Sequence, residues 1–187
     1  MDDDDYRRGR LSTHKKYDEA QAILAGNSLL TMAFNLLAQD SNPSLVELLS
    51  ILSGHEGLAG GQSLDVDTIE KKLNFKIIKK IHEQKTARLF EFCLAAPFII
   101  SNKSQREINM SRKYGKIIGT IFQIIDDVHD YENKDNEYIN ILNVMTKDDA
   151  LEKCYRYEVE ANSLREKLLL NKKNRMNDIL SFIINRK

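Results

Sequence analysis

The stretch from Gln105 to Tyr131 limits this chain's possible folds more than any other. Apolar residues recur along it at helical spacing. Between Lys116 and Tyr131 the residues Ile117, Ile118, Ile121, Phe122, Ile124 and Ile125 cover most of the helical circumference. A helix that is apolar nearly all round must be enclosed by other helices or by lipid. This run is short, and Gly119, Thr120 and Gln123 interrupt it, so it does not read as a membrane span. The pattern predicts an interior helix of a helical domain.

The rest of the chain fits that prediction. Glu19 to Gln39 carries Ile23, Leu24, Leu29, Leu30, Ala33, Phe34 and Leu37 at helical period. Pro43 suits a first helical turn, and Leu45, Val46, Leu48, Leu49 and Leu52 follow as a buried face. Further helices are expected at Asp67–Lys72, in the basic segment Phe75–Gln84, at Asp148–Leu170 and at Asn174–Ile184. Thr86–Ile100, apolar on most sides, reads as a central helix. Met1–Asp18 and Asn133–Glu137 read as polar loops. The glycines at 54, 57, 60 and 61 permit the close approach of another helix, or a break. The chain has only two prolines and no strand-period alternation, so the expected architecture is all-α, a single domain over residues 1–187.

Charge narrows the function classes. With 28 basic and 28 acidic residues the net charge is zero, which argues against a protein that coats nucleic acid or anionic lipid. No apolar run reads as approaching the length of a membrane span, and the N-terminus has no apolar signal core. Cys93 and Cys154 lie far apart and form no CxxC pair. They read as reduced thiols of a cytoplasmic protein.

Against this background the carboxylates of the 116–131 helix stand out. Gln123, Asp126, Asp127 and Asp130 lie at i, i+3, i+4 and i+7, on one stripe. Carboxylates so arranged repel one another, and burying them unpaired is costly. A hard divalent cation such as Mg²⁺, which shares its shell with water and phosphate oxygens, is one natural partner. A solvated face with salt bridges to Lys113 or Lys134 is the other, and periodicity alone leaves both open.

Three further features carry chemistry. Asp2–Asp5 followed by Arg7 and Arg8 reads either as a charged tail or as a cation ligand beside phosphate-binding arginines, whose planar forks donate paired hydrogen bonds. Lys85–Thr86 is expected near the N-terminus of the 86–100 helix, where backbone amides favour anions. Gln62 and Asp65 read as lining the same cavity or as a surface pair. His14, His55, His82 and His129 show no metal-ligand spacing, and His129 reads as structural.

These pieces resemble the trans-polyprenyl diphosphate synthase family, in particular bacterial short-chain members making farnesyl or geranylgeranyl diphosphate. Met1–Gly9 (MDDDDYRRG) is similar to the end of the family's first aspartate-rich motif. Ala22–Gly26 is similar to the helix that follows it, Gly60–Asp65 (GGQSLD) to its glycine-rich segment, and Lys85–Phe90 (KTARLF) to its lysine–threonine segment. Phe122–Asp130 (FQIIDDVHD) is similar to its second aspartate-rich motif and is the most specific of the five. The resemblance spans nearly the whole chain.

The resemblance implies an isoprenoid synthase-type helical bundle around a central cavity. It also implies head-to-tail condensation of isopentenyl diphosphate with an allylic diphosphate, with Mg²⁺ as cofactor. Asp126, Asp127 and Asp130 would hold Mg²⁺, and Asp2 matches the last aspartate of the first motif. Arg7, Lys85, Thr86 and Gln123 would face the allylic diphosphate, and Arg8 the isopentenyl diphosphate. Lys85, Thr86 and Gln123 are the expected catalytic set. The expected partners are these two diphosphates and either a second copy or a complementing N-terminal chain, with no nucleic acid and no membrane span.

The departures matter too. The first two aspartates of the first motif and the helices before it have no counterpart in these 187 residues, so the chain is expected to be N-terminally truncated. Asn27 stands where the family usually has Asp. The loop after Asp130 is short, with Lys134 as a stand-in for the family's later lysine. These features suggest impaired catalysis or, alternatively, a non-catalytic helical subunit.

Overall fold

The computed structural model describes residues 3–40, 42–68, 73–133, 139–168 and 176–185. These form two compact units, 1–47 and 48–187, and among the described residues the only sheet is a two-residue ladder. The chain is all-α, as its periodicity predicts.

In the first unit the segment expected as a loop carries secondary structure. β1 (Tyr6–Arg7) and β2 (Arg10–Leu11) pair antiparallel, Arg7 opposite Arg10. Arg8 and Gly9 make the turn with φ of 52° and 72°. Positive φ at both central positions is what a tight type I′ hairpin turn requires. Strands this short are too brief to show alternation. A single turn, α1 (Thr13–Lys16), follows. Lys15 Nζ then reaches Asp3 (3.1 Å) and Asp5 (3.2 Å), and His14 Nε2 lies 3.0 Å from Asp3. The lysine beside Asp3 holds its carboxyl below the usual range.

α2 (Glu19–Ala38) begins where Asp18 accepts a hydrogen bond from the Gln21 amide (2.7 Å), a side-chain N-cap. Its apolar residues do not form the buried face the spacing suggests. Ile23, Leu24, Leu29 and Leu30 are exposed, and only Ala22, Ala33, Phe34 and Leu37 are half-buried. This helix also corrects the reading that no apolar run approaches a span. By length and composition alone this 20-residue helix, which contains an 18-residue stretch at mean hydropathy 1.3, suffices to cross a membrane. Its polar residues, Asn27, Ser28, Thr31 and Asn35, carry no charge, so they break the run without lowering its average enough.

α3 (Ser44–Ser53) buries Leu45, Leu48, Leu49 and Leu52, the face that Pro43 was expected to open. The next helix differs from expectation. It is α4 (Leu58–Thr68), running through the glycine cluster instead of starting at Asp67, and residues 69–72 lie outside the described residues. Gly61 explains why a helix runs there. α4 meets the backbone of Gln84 and Lys85 so closely that a Cβ at 61 would lie 2.6 Å from the Gln84 carbonyl carbon.

Residues 75–100 form one continuous helical rod, made of α5 (Phe75–Ile81), a π-helical turn (His82–Ala87) and α6 (Arg88–Ile100). α6 is not central. It buries every fourth residue, Glu91, Ala95 and Ile99, and leaves Leu89, Cys93 and Ile100 exposed. The centre is α7 (Gln105–Asn133), which touches the π turn, α6, α8 (Lys147–Lys167), α9 (Met176–Asn185) and the 3₁₀ turn Ile141–Asn143. Tyr114, Ile118, Ile121 and Ile124 are almost wholly buried along it. Gly115 and Gly119 let it lie against α6 and the π turn; a Cβ on Gly119 would sit 2.5 Å from the Ala87 Cα. α8 contributes Ala150, Cys154, Ala161 and Leu164 to the core, and α9 contributes Leu180 and Ile183.

Candidate functional site

The site is built where the π turn crosses α7. An α-helix entering a π turn gains one residue per turn, which re-aims the side chains that follow, and such turns are frequent at functional sites. Here the turn carries His82, Lys85 and Thr86. Lys85–Thr86 therefore lies inside a continuous rod and not at a helix N-terminus. Its amides are not the free donors the sequence suggested, and only its side chains are available to an anion.

Those side chains have clear partners. Lys85 Nζ lies 2.6 Å from Asp65 Oδ2 on α4, with the two side chains 29% and 18% exposed. Thus Asp65, grouped by sequence with Gln62, does reach the lysine, and Gln62 is half-buried on the same helix. The Thr86 hydroxyl donates to Gln123 Oε1 on α7 (2.6 Å), across 37 residues of sequence. Gln123 Nε2 in turn donates to Asp127 Oδ1 (3.0 Å).

The acidic stripe is split by its surroundings. Asp127 is buried, with a side chain 5% exposed. Its Oδ2 accepts from the Ile141 amide (2.6 Å) and faces His82 Nε2 (3.0 Å). Its main-chain oxygen accepts from Asn140 Nδ2 (2.7 Å). Asp126 is half-buried and Asp130 exposed. Lys113, offered as a salt-bridge partner for the stripe, pairs instead with Glu160 at 2.6 Å. Lys134 and Asp2 lie outside the described residues. Among the described residues no group of three or more His, Cys, Asp or Glu is placed to hold a metal ion.

Arg7 and Arg8 stand on the hairpin of the first unit, exposed, with Arg10 across from Arg7. Lys85, Thr86, Gln123 and the second aspartate motif all belong to the other unit. The sequence reading missed His82 and Asn140 as members of the network. His82 lies one turn before Lys85, which is a weak signal, and Asn140 is polar between two isoleucines. Neither spacing reveals that both converge on Asp127.

Comparison with known proteins places the chain. Residues 1–157 match the polyprenyl synthetase family model, and the chain belongs to that family. It is 42% identical over 137 residues to the farnesyl diphosphate synthase of Micrococcus luteus, an alignment covering 71% of this chain and 47% of that protein. Among solved structures it is similar to an FPP/GFPP synthase from Zymomonas mobilis, with a TM-score of 0.88 and 28% identity, over 98% of this chain and 68% of that one. It is also similar to a geranyltransferase from Helicobacter pylori solved with magnesium and isoprenyl diphosphate, with a TM-score of 0.81 and 26% identity, over 99% of this chain and 65% of that one. The chain spans about half the length of the farnesyl diphosphate synthases it matches.

Proposed function

We propose that this chain carries the Mg²⁺-dependent allylic diphosphate site of a cytoplasmic prenyltransferase that condenses isopentenyl diphosphate with an allylic diphosphate to give farnesyl or geranylgeranyl diphosphate. The observation that carries the reading is the Thr86–Gln123 hydrogen bond, which joins the lysine–threonine segment to the second aspartate motif. Two segments that resemble diphosphate-binding motifs thereby become one surface.

The residues fit a magnesium ion of the kind bound with a substrate. Asp126 and Asp130 are hard oxygen donors one helical turn apart, and neither is buried. Mg²⁺ commonly takes one or two carboxylates and fills its shell with water and phosphate oxygens. When bound, the ion supplies positive charge to the leaving diphosphate. Lys85 is the adjacent cation, and exchanging Asp65 for a phosphate oxygen would aim its ammonium at the same charge. By resemblance Arg7 takes the allylic diphosphate, Arg8 the isopentenyl diphosphate, and Asp2 a further metal position.

Calorimetric titration of a bisphosphonate into the purified chain, with and without Mg²⁺, tests this. Binding should require Mg²⁺ and be lost in Asp126→Asn. Binding indifferent to both refutes the reading. Turnover of labelled isopentenyl diphosphate by the 187-residue chain alone should fall more than tenfold below that of a full-length family member, a barrier difference of at least about 1.4 kcal/mol. A second reading, a non-catalytic subunit bound to a synthase or to its own copy, is favoured by the exposed apolar residues of α2. It predicts no turnover on any allylic diphosphate.

A further inference from the structure

We propose that Arg10 is a further ligand-binding residue of this chain, and that it and Arg7 grip one phosphoryl group of the allylic diphosphate from the two strands of the β1–β2 hairpin. The proposal rests on the diphosphate-site reading above, which gives Arg7 that ligand and gives Arg10 no role.

The argument begins with register. Arg8 and Gly9 take the two central positions of the turn, so Arg7 and Arg10 are direct cross-strand partners and Tyr6 pairs with Leu11. Successive side chains of a strand point to opposite faces. Arg7 and Arg10 therefore share one face of the ladder, and Tyr6 and Leu11 share the other. Side chains directly opposite in an antiparallel pair have Cβ atoms about 4.5–5.5 Å apart, and like charges placed so are destabilising. Both arginines are exposed. Two neighbouring acids are engaged elsewhere: Asp3 and Asp5 meet Lys15 Nζ at 3.1 and 3.2 Å, and Asp3 also meets His14. Among the described residues neither guanidinium is paired with a carboxylate.

Two local rules are broken on this one turn. Arg8 takes a left-handed conformation, φ 52°, that is disfavoured for any residue with a Cβ, where Asn before Gly would be the easy choice. Arg7 faces its own charge across the ladder. Unfavourable choices of this kind persist where they serve a site. A phosphoryl group between the two arginines turns the repulsion into attraction. Each guanidinium is a planar fork that donates paired hydrogen bonds, and one phosphoryl group has enough oxygens for two forks. The hairpin also holds the two stems at a set separation. The Ser12 amide donates to the Asp5 main-chain oxygen at 2.9 Å, and Lys15 ties Asp3 to Asp5. The acids thus fasten the base of the hairpin, and the basic pair stands next to its turn.

The test uses the full chain, a bisphosphonate with Mg²⁺ as probe, calorimetry for affinity and hydrogen exchange over residues 6–11 for the hairpin. Arg10→Gln should weaken binding by about tenfold, equivalent to about 1.4 kcal/mol. Arg10→Lys should recover only part of that, because an ammonium has no fork. Arg156→Gln removes the same charge from α8, where the side chain is 72% exposed, and should leave affinity within about twofold. Without ligand the effect reverses. Removing the repulsion should slow hairpin exchange in Arg10→Gln by about twofold at low salt, a gain that high salt abolishes. With ligand, the wild-type hairpin should be the better protected. Affinity within about twofold of wild type in Arg10→Gln overturns the proposal, as does an equal loss in Arg156→Gln. Faster exchange in ligand-free Arg10→Gln also overturns it, since that marks a merely structural role. Where wild-type binding requires Mg²⁺ and is lost in Asp126→Asn, an unaffected Arg10→Gln sinks this proposal and leaves the functional reading standing. If the wild-type chain shows no Mg²⁺-dependent binding, that reading fails and takes the proposal with it.

Discussion

Gly61 and Gly26 are both helical glycines, and replacing each by alanine should move stability in opposite directions. Removing a glycine from a helix interior is worth about 1 kcal/mol in intrinsic propensity. At Gly26, on α2, an added Cβ meets nothing within 4 Å, so that gain should be kept. At Gly61 the added Cβ would lie 2.6 Å from the Gln84 carbonyl carbon and Cβ, and closer still to the Lys85 amide nitrogen. Comfortable carbon contacts lie at about 3.5–4.0 Å. The atoms met are mostly backbone, so no rotamer change relieves them and α4 must shift. Overpacking costs about 1–3 kcal/mol, and with a rigid neighbour the upper end applies, leaving a net loss of about 2 kcal/mol. For a chain of this size that lowers Tm by about 4–8 °C, while Gly26→Ala should raise it by about 2–4 °C. Thermal melts followed by circular dichroism and checked by calorimetry decide the matter. Gly61→Ala with an unchanged or raised Tm would refute the close approach of α4 to the π turn. The same shift carries Asp65 away from Lys85, a contact of 2.6 Å, so bisphosphonate affinity should change in Gly61→Ala and not in Gly26→Ala.

Burial, and after it the charge of Glu158, pushes the Cys154 thiol up to about 12 from an ordinary value of 9.0. A raised folded pKa means the stability this group adds is complete below about pH 9 and is lost as pH climbs toward 12. Denaturant melts should show that decline absent in Cys154→Ala, and iodoacetamide should label exposed Cys93 well before Cys154. Glu91 is 4% exposed and holds Arg88 (2.9 Å) and Arg112 (2.7 Å). Glu91→Ala should cost about 3 kcal/mol, the low end for a broken buried pair because both arginines reach water. Chemical denaturation should rank it above Arg88→Ala and Arg112→Ala, each of which leaves the carboxylate one partner.

What the sequence revealed follows the reach of each physical signal. α7 was legible because its interior side chains repeat at 3.6 residues, a signal carried entirely by the helix itself. α6 was misjudged by the same logic. Leu89, Cys93 and Ile100 are apolar or nearly so, yet exposed, and composition cannot distinguish a side chain buried by this chain from one left uncovered. α4 was misplaced because its glycines weaken local helix propensity. They are there for a tertiary contact, the approach to Gln84 and Lys85, which no local pattern encodes.

The site obeys the same rule at finer grain. Spacing puts Gln123, Asp126, Asp127 and Asp130 on one stripe, and that remains true of the helix. A stripe four residues wide still has two margins, and their fates depend on what lies beside each. His82 comes from a π turn about 45 residues earlier, and Ile141 from a segment 14 residues later. Both close over the margin that carries Gln123 and Asp127. The other margin keeps access to solvent, with Asp126 half-buried and Asp130 exposed. Helical geometry alone could only treat the three aspartates as equivalent acids. Desolvation makes them different: Asp127 is enclosed and has donors on both of its oxygens, whereas Asp126 is half-buried and Asp130 exposed.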